Sequence, residues 1–195
     1  RQTLSTRMPH YGNDTDAADL EGKYVLRVFD DLVLSYNRPD CPEKYVSTLF
    51  GYFFHIYHGE ITGATPNGRL RGEPFSDSMG PSQGKDVSGP TKLLNSALKQ
   101  DFSTMTGGYA LNVKINREHA QGARGRAMLT GLVRTYFDQG GAQLQIVFLY
   151  NEILRKAQKE PEKYANVVVR IGGYCEYFVN LDRTLQNEII ERTAH

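Results

Sequence analysis

Val167-Val168-Val169-Arg170-Ile171-Gly172-Gly173-Tyr174-Cys175-Glu176-Tyr177-Phe178 is the stretch on which the reading of this chain turns. A run of β-branched residues enters a glycine pair and leaves it as an aromatic run. Taken locally, this is a tight turn between two strands, because β-branched and aromatic residues favour extended backbone and glycine accepts positive φ. The neighbouring segments have regular signals as well. Residues 144–148 form an apolar strand, Asn151 is placed to cap a helix over 152–159, and 167–169 read as a short buried strand. Beyond the aromatic run, Asp182 is placed to cap a last amphipathic helix that carries Leu185, Ile189 and Ile190 on one face.

Further upstream, a helix is expected over about 17–36, capped by Asp14 or Asp16, with Leu20, Tyr24, Val25, Val28, Phe29, Leu32 and Val33 at helical spacing. Pro39 and Pro42 break the chain after it. Residues 46–57 are aromatic and β-favouring with little polar alternation, which predicts a strand buried on both faces. Residues 59–90 hold many of the glycines and prolines, and read as a long ordered loop anchored by Ile61, Leu70, Phe75 and Met79. A short helix near 91–99, a strand at 109–115 and a helix at 125–138 follow. Strands alternating with helices give an α/β fold.

Composition narrows the function classes. The 195 residues are 39% hydrophobic and 23% charged, and 23 Lys plus Arg against 22 Asp plus Glu leave a net charge of +1. Such a chain has no general electrostatic pull on nucleic acid or anionic membrane. No apolar run approaches the ~20 residues of a membrane span. The first residues, Arg1-Gln2-Thr3-Leu4-Ser5-Thr6-Arg7, hold no signal-peptide stretch and no initiator Met, so the chain is expected to be a piece of a longer one. The two cysteines, Cys41 and Cys175, form no CxxC pair, which excludes a disulfide scaffold and a four-cysteine zinc site. A reducing cytoplasm is the expected compartment.

Arg170-Ile171-Gly172-Gly173-Tyr174 resembles the Arg-Val-x-Gly-Tyr signature of the glycyl radical enzymes, the pyruvate formate-lyase-like superfamily. The segments 157–164 and 185–193 resemble the family's sequence on either side of the radical loop. So do Gly63-Ala64-Thr65-Pro66-Asn67-Gly68-Arg69, Gly72-Glu73-Pro74-Phe75-Ser76-Asp77, Gln83-Gly84-Lys85-Asp86, Gly89-Pro90-Thr91 with Leu94-Asn95-Ser96, and Met8-Pro9-His10-Tyr11-Gly12-Asn13-Asp14. The matches are collinear and span almost the whole chain. The segment 72–78 and the Gly89-Pro90-Thr91 stretch resemble the dehydratase, decarboxylase and carbon–carbon-adding branches more than pyruvate formate-lyase itself.

The resemblance implies that Gly173 carries an unpaired electron on its Cα, with Arg170, Ile171, Gly172 and Tyr174 supporting the loop. Glycine suits this role because the radical carbon flattens, no Cβ crowds it, and the flanking amide groups share the spin. Residues 167–169 with Tyr177 and Phe178 are expected to bury the loop and exclude oxygen. No other cofactor is implied. The radical would be installed by an S-adenosylmethionine-dependent Fe–S activating enzyme, and Gly172 would let the turn open to it. The family's thiyl-forming cysteine lies well upstream and has no match here. Cys41, in Arg38-Pro39-Asp40-Cys41-Pro42, reads as a loop or packing residue, and Cys175 as packing more than chemistry.

The implied fold is the C-terminal part of a ten-stranded α/β barrel, with residues 1–58 as the end of the barrel domain and 59–195 as the glycine radical domain. The implied function is the radical-bearing region of an anaerobic lyase acting on a small molecule, homodimeric when full length, in the cytoplasm or a bacterial microcompartment. The alternative is a stand-alone radical carrier that complements an oxygen-damaged enzyme. His55 and Tyr57, sharing a strand face, are the substrate-pocket candidates. His55 and His58 would lie on opposite faces of that strand, and no third ligand accompanies them, so no metal site is expected.

Overall fold

The computed structural model describes residues 7–148, 150–171 and 174–191. The first helix, α1 (Asp16–Ser35), forms where its spacing predicts. Thr15 is its N-cap residue and makes no side-chain cap bond. Asp14 instead adopts a positive φ of 56° and turns its carboxylate onto Lys92, Asn95 and Lys99.

The apolar stripe of α1 does not face the core. Leu20, Tyr24, Val25, Val28, Phe29 and Leu32 are 49–66% exposed, whereas Asp19 and Asp30 are buried. The helix is held by that polar face. Asp19 accepts from Ser96 Oγ and Lys99 Nζ, each at 3.0 Å, and Ser47 Oγ donates to Asp30.

Residues 46–57 are not a strand. Leu49 makes a single parallel bridge to Tyr109, Tyr52 turns at φ 47°, and α2 (Phe54–Ile61) begins. An apolar run without alternation fits a helix as well as a buried strand, and only packing decides. In α2, His55, Ile56 and Gly59 face inward. A Cβ at Gly59 would collide with the Glu73 carbonyl, so glycine lets the following loop cross the helix closely.

That loop carries no helix or strand between α2 and α3 (Pro90–Leu98). Of its expected apolar anchors, Met79 is buried and Phe75 partly so, but Ile61 and Leu70 are exposed. Polar contacts do more of the anchoring. Arg69 donates to the carbonyls of Gly59, Thr62, Gly63 and Glu73, and lies 4.3 Å over the Phe75 ring.

β1 (Asn112–Ile115) and β2 (Gln145–Phe148) are parallel and joined by α4 (Gly122–Asp138), a βαβ unit. The first apolar core lies here: Leu93, Leu94 and Ala97 of α3, Leu111, Val113 and Ile115 at β1, and Tyr136 of α4. Next comes α5 (Asn151–Lys159), whose N-cap residue is Tyr150, not the expected Asn151.

β3 (Val168–Ile171) and β4 (Tyr174–Tyr177) form an antiparallel hairpin, followed by a 3-10 turn and α6 (Arg183–Glu191). Asp182 Oδ1 caps α6 by accepting from the Thr184 and Leu185 amides at 2.9 and 3.0 Å. The second core joins Val169, Ile171, Phe178, Leu154, Ala157, Leu185, Ile189 and Ile190, with Ile56 reaching in from α2.

Candidate functional site

The hairpin is in register Val168↔Tyr177, Val169↔Glu176, Arg170↔Cys175 and Ile171↔Tyr174. Its last rung brackets residues 172 and 173, so the radical-glycine assignment and its supporting Gly172 lie outside the described residues. The strand alternation sorts the rest. Val169 and Ile171 are 1% and 0% exposed and sit in the second core. The expected burial of the whole flank is corrected: Val168 and its partner Tyr177 face out, because a hairpin resting on one core can bury only one of its faces, and Tyr174, opposite Ile171 in the last rung, is still 40% exposed.

Arg170 is on the outer face. Its Nε donates to Gln145 Oε1 of β2 at 3.0 Å, and its Nη1 lies 3.7 Å from Cys175 Sγ across the ladder. Cys175 is exposed, which does not match a packing role among the described residues. Cys41 lies in a surface turn, where its thiol donates to Glu43 Oε2 at 3.2 Å and helps to lower that carboxyl's pKa.

The two pocket candidates separate. On a helix, positions two apart point to opposite sides, so His55 is 6% exposed and Tyr57 is 54% exposed. His55 Nε2 lies 3.4 Å from Glu188 Oε1 of α6, and its Nδ1 lies 3.9 Å from Asp77 Oδ1. His58 is exposed beside the Phe54 ring. Among the described residues, no group of three His, Cys, Asp or Glu side chains is placed to hold a metal ion. No helix of these residues is long and apolar enough to cross a membrane.

A polar layer missed by the sequence reading lies between the two cores. Gln83 Nε2 donates to Glu188 Oε1 at 2.6 Å, and Asn112 Nδ2 donates to Asp77 Oδ2 at 2.7 Å. Lys114, 4% exposed on β1, donates to Asn151 Oδ1 and to the Ile189 and Ile190 carbonyls. A cavity of about 40 Å³ in this layer is lined by Asp77, Gln83, Asn112, Lys114 and Arg170. The sequence signal for this layer is the alternation of polar Asn112 and Lys114 with apolar Val113 and Ile115 along β1.

The fold, with its βαβ unit and β3–β4 hairpin, defines a mixed α/β chain of the glycyl radical enzyme type, matching the C-terminal portion of those barrel enzymes. Residues 75–179, more than half the chain, match the glycine radical family, and the chain belongs to it. It is 39% identical over 191 residues to the trans-4-hydroxy-L-proline dehydratase of Clostridioides difficile, covering 97% of this chain and 24% of that one. It is 36% identical over 203 residues to the isethionate sulfite-lyase of Oleidesulfovibrio alaskensis, covering 100% and 24%. The glycerol-bound B12-independent glycerol dehydratase of Clostridium butyricum superposes with a TM-score of 0.94 at 38% identity, covering 100% and 24%. The chain therefore spans about a quarter of the length of these relatives.

Proposed function

We propose that this chain is the radical-bearing region of an anaerobic dehydratase or lyase, and that Gly173 stores the unpaired electron. The observation that carries the reading is the hairpin register. Ile171 and Tyr174, the residues on either side of the glycine pair in the sequence, form its last rung. Ile171 and Val169 root β3 in a core, while Arg170 ties it to β2.

In the proposed reaction the Gly173 Cα takes a hydrogen atom from a cysteine thiol outside this chain, leaving a thiyl radical that acts on the substrate. The relatives' names, a hydroxyproline dehydratase and an isethionate sulfite-lyase, support a small polar substrate. Tyr57, open on the outer side of α2, is placed to meet the remainder of the enzyme, while His55 serves the buried layer. We assign residues 1–58 to the end of the barrel domain and 59–195 to the radical domain, with the junction running through α2. The proposed partners are a radical S-adenosylmethionine activating enzyme and a second copy of the full-length chain, in the cytoplasm or a microcompartment. Anaerobic activation of the intact enzyme, with Gly173→Ala alongside, tests the reading by its spin signal.

A further inference from the structure

Lys114 is the buried cation of β1, flanked by Val113 and Ile115, which fill the first core. Its Nζ reaches away from that core. Asn151 Oδ1 at the start of α5 accepts from it, as do the carbonyls of Ile189 at 3.4 Å and Ile190 at 3.2 Å in the last turn of α6. Carbonyl oxygens are strong acceptors, and a buried ammonium is costly unless such acceptors surround it. The cation comes from a strand 75 residues earlier in the sequence.

One ammonium group thus joins β1, α5 and α6. The two helices pack on each other and, with Val169, Ile171 and Phe178, make the core beneath the hairpin. Polar links across this boundary also run from Arg170 to Gln145, Gln83 to Glu188 and His55 to Glu188, beside the apolar contact of Ile56. Stability alone is a poor explanation for a lysine here. Buried charges are costly even when paired, and an apolar side chain of similar size in their place is often tolerated. Directional bonds to three acceptors have a further effect: they fix where α5 and α6 sit against the sheet.

We propose that Lys114 is a positioning residue that sets the seat of the 150–191 unit on the β1–β2 sheet, and through it the place of the radical hairpin. The role of the hairpin rests on the reading of Gly173 above; the seating does not.

The test uses the intact enzyme with Lys114→Met and Lys114→Arg. Amide hydrogen exchange is followed segment by segment, and the spin yield is measured after activation. Lys114→Met is expected to speed exchange in 150–191 by about tenfold or more, the scale of one lost charge-assisted hydrogen bond. Exchange in 112–138 should hold, the spin yield should fall, and Lys114→Arg should recover part of both. Unaltered exchange in 150–191, or equal loosening of both cores, overturns the proposal. If Lys114→Met does not fold, Asn151→Leu removes one acceptor and is held to the same outcomes. A wild-type enzyme that gives no spin, with selective loosening in Lys114→Met, refutes the Gly173 reading and supports the seating. Normal spin in wild type, with no loosening in the variant, does the reverse.

Discussion

His55 Nε2 and Glu188 Oε1, 133 residues apart in sequence, lie 3.4 Å from each other in a buried contact between α2 and the last helix. Asp77 flanks the same imidazole on its other nitrogen, at 3.9 Å. Removing the ring leaves two buried carboxylates with one fewer polar neighbour. His55→Ala is expected to destabilise the intact enzyme by about 1–3 kcal/mol, read from its denaturation midpoint. Tyr57→Phe, at an exposed position, is expected to leave that midpoint unchanged and to alter substrate KM or kcat without altering spin yield. An unchanged midpoint in His55→Ala would show that the contact is not holding α6.

The Asp14 carboxylate gives a pH dependence of known sign. Hydrogen bonds from Lys99, Asn95 and Lys92 hold its pKa below the usual carboxylate range. A group depressed in this way stabilises the fold above its unfolded pKa, about 3.9, and that contribution fades as pH falls through the lower folded value. Asp14→Asn should therefore flatten the acid limb of the melting-temperature profile below about pH 4. Identical acid limbs in the two proteins would remove the cluster from the account.

The exposed stripe of α1 makes a prediction about the 195-residue chain on its own. Leu20, Tyr24, Val28 and Leu32 form a contiguous apolar surface, and such surfaces drive association. The chain expressed alone is expected to bind a hydrophobic dye and to aggregate, and Val28→Glu with Leu32→Lys should reduce both. A monodisperse, cooperatively melting monomer with no dye binding would contradict it.

Local signals were enough for part of this fold. The βαβ unit, the hairpin and the Asp182-capped last helix are set by periodicity, glycine placement and a cap, all within a few residues of each other. The 46–57 segment was misread because its apolar run lacks the alternation that separates strand from helix. With it went the shared face of His55 and Tyr57. For α1, spacing revealed an apolar stripe but not what covers it, and its buried side is held by Asp19 and Asp30. The roles of Lys114 and Glu188 were not legible because their partners lie far off in sequence. A charged residue that alternates with apolar strand positions identifies itself only when its acceptors are in place.

Oxygen provides an independent map of the radical position. Air admitted to the activated enzyme is expected to cut the backbone at Gly173. The released peptide should begin near Tyr174, with a mass of about 2–3 kDa if the chain ends at His195, at ordinary residue masses. Mass spectrometry locates the cut, and a break at another residue would move the radical away from Gly173.

The central claim is tested most directly by electron paramagnetic resonance. The intact enzyme is treated anaerobically with its activating enzyme and S-adenosylmethionine, as wild type, Gly172→Ala and Gly173→Ala. Wild type should give a doublet, split by the single α-hydrogen left on Gly173. Gly172→Ala should retain some signal, because that position serves the turn and not the spin. Gly173→Ala should give neither signal nor turnover, since the added methyl crowds both the turn and the planar carbon. A doublet that survives in Gly173→Ala would contradict the assignment.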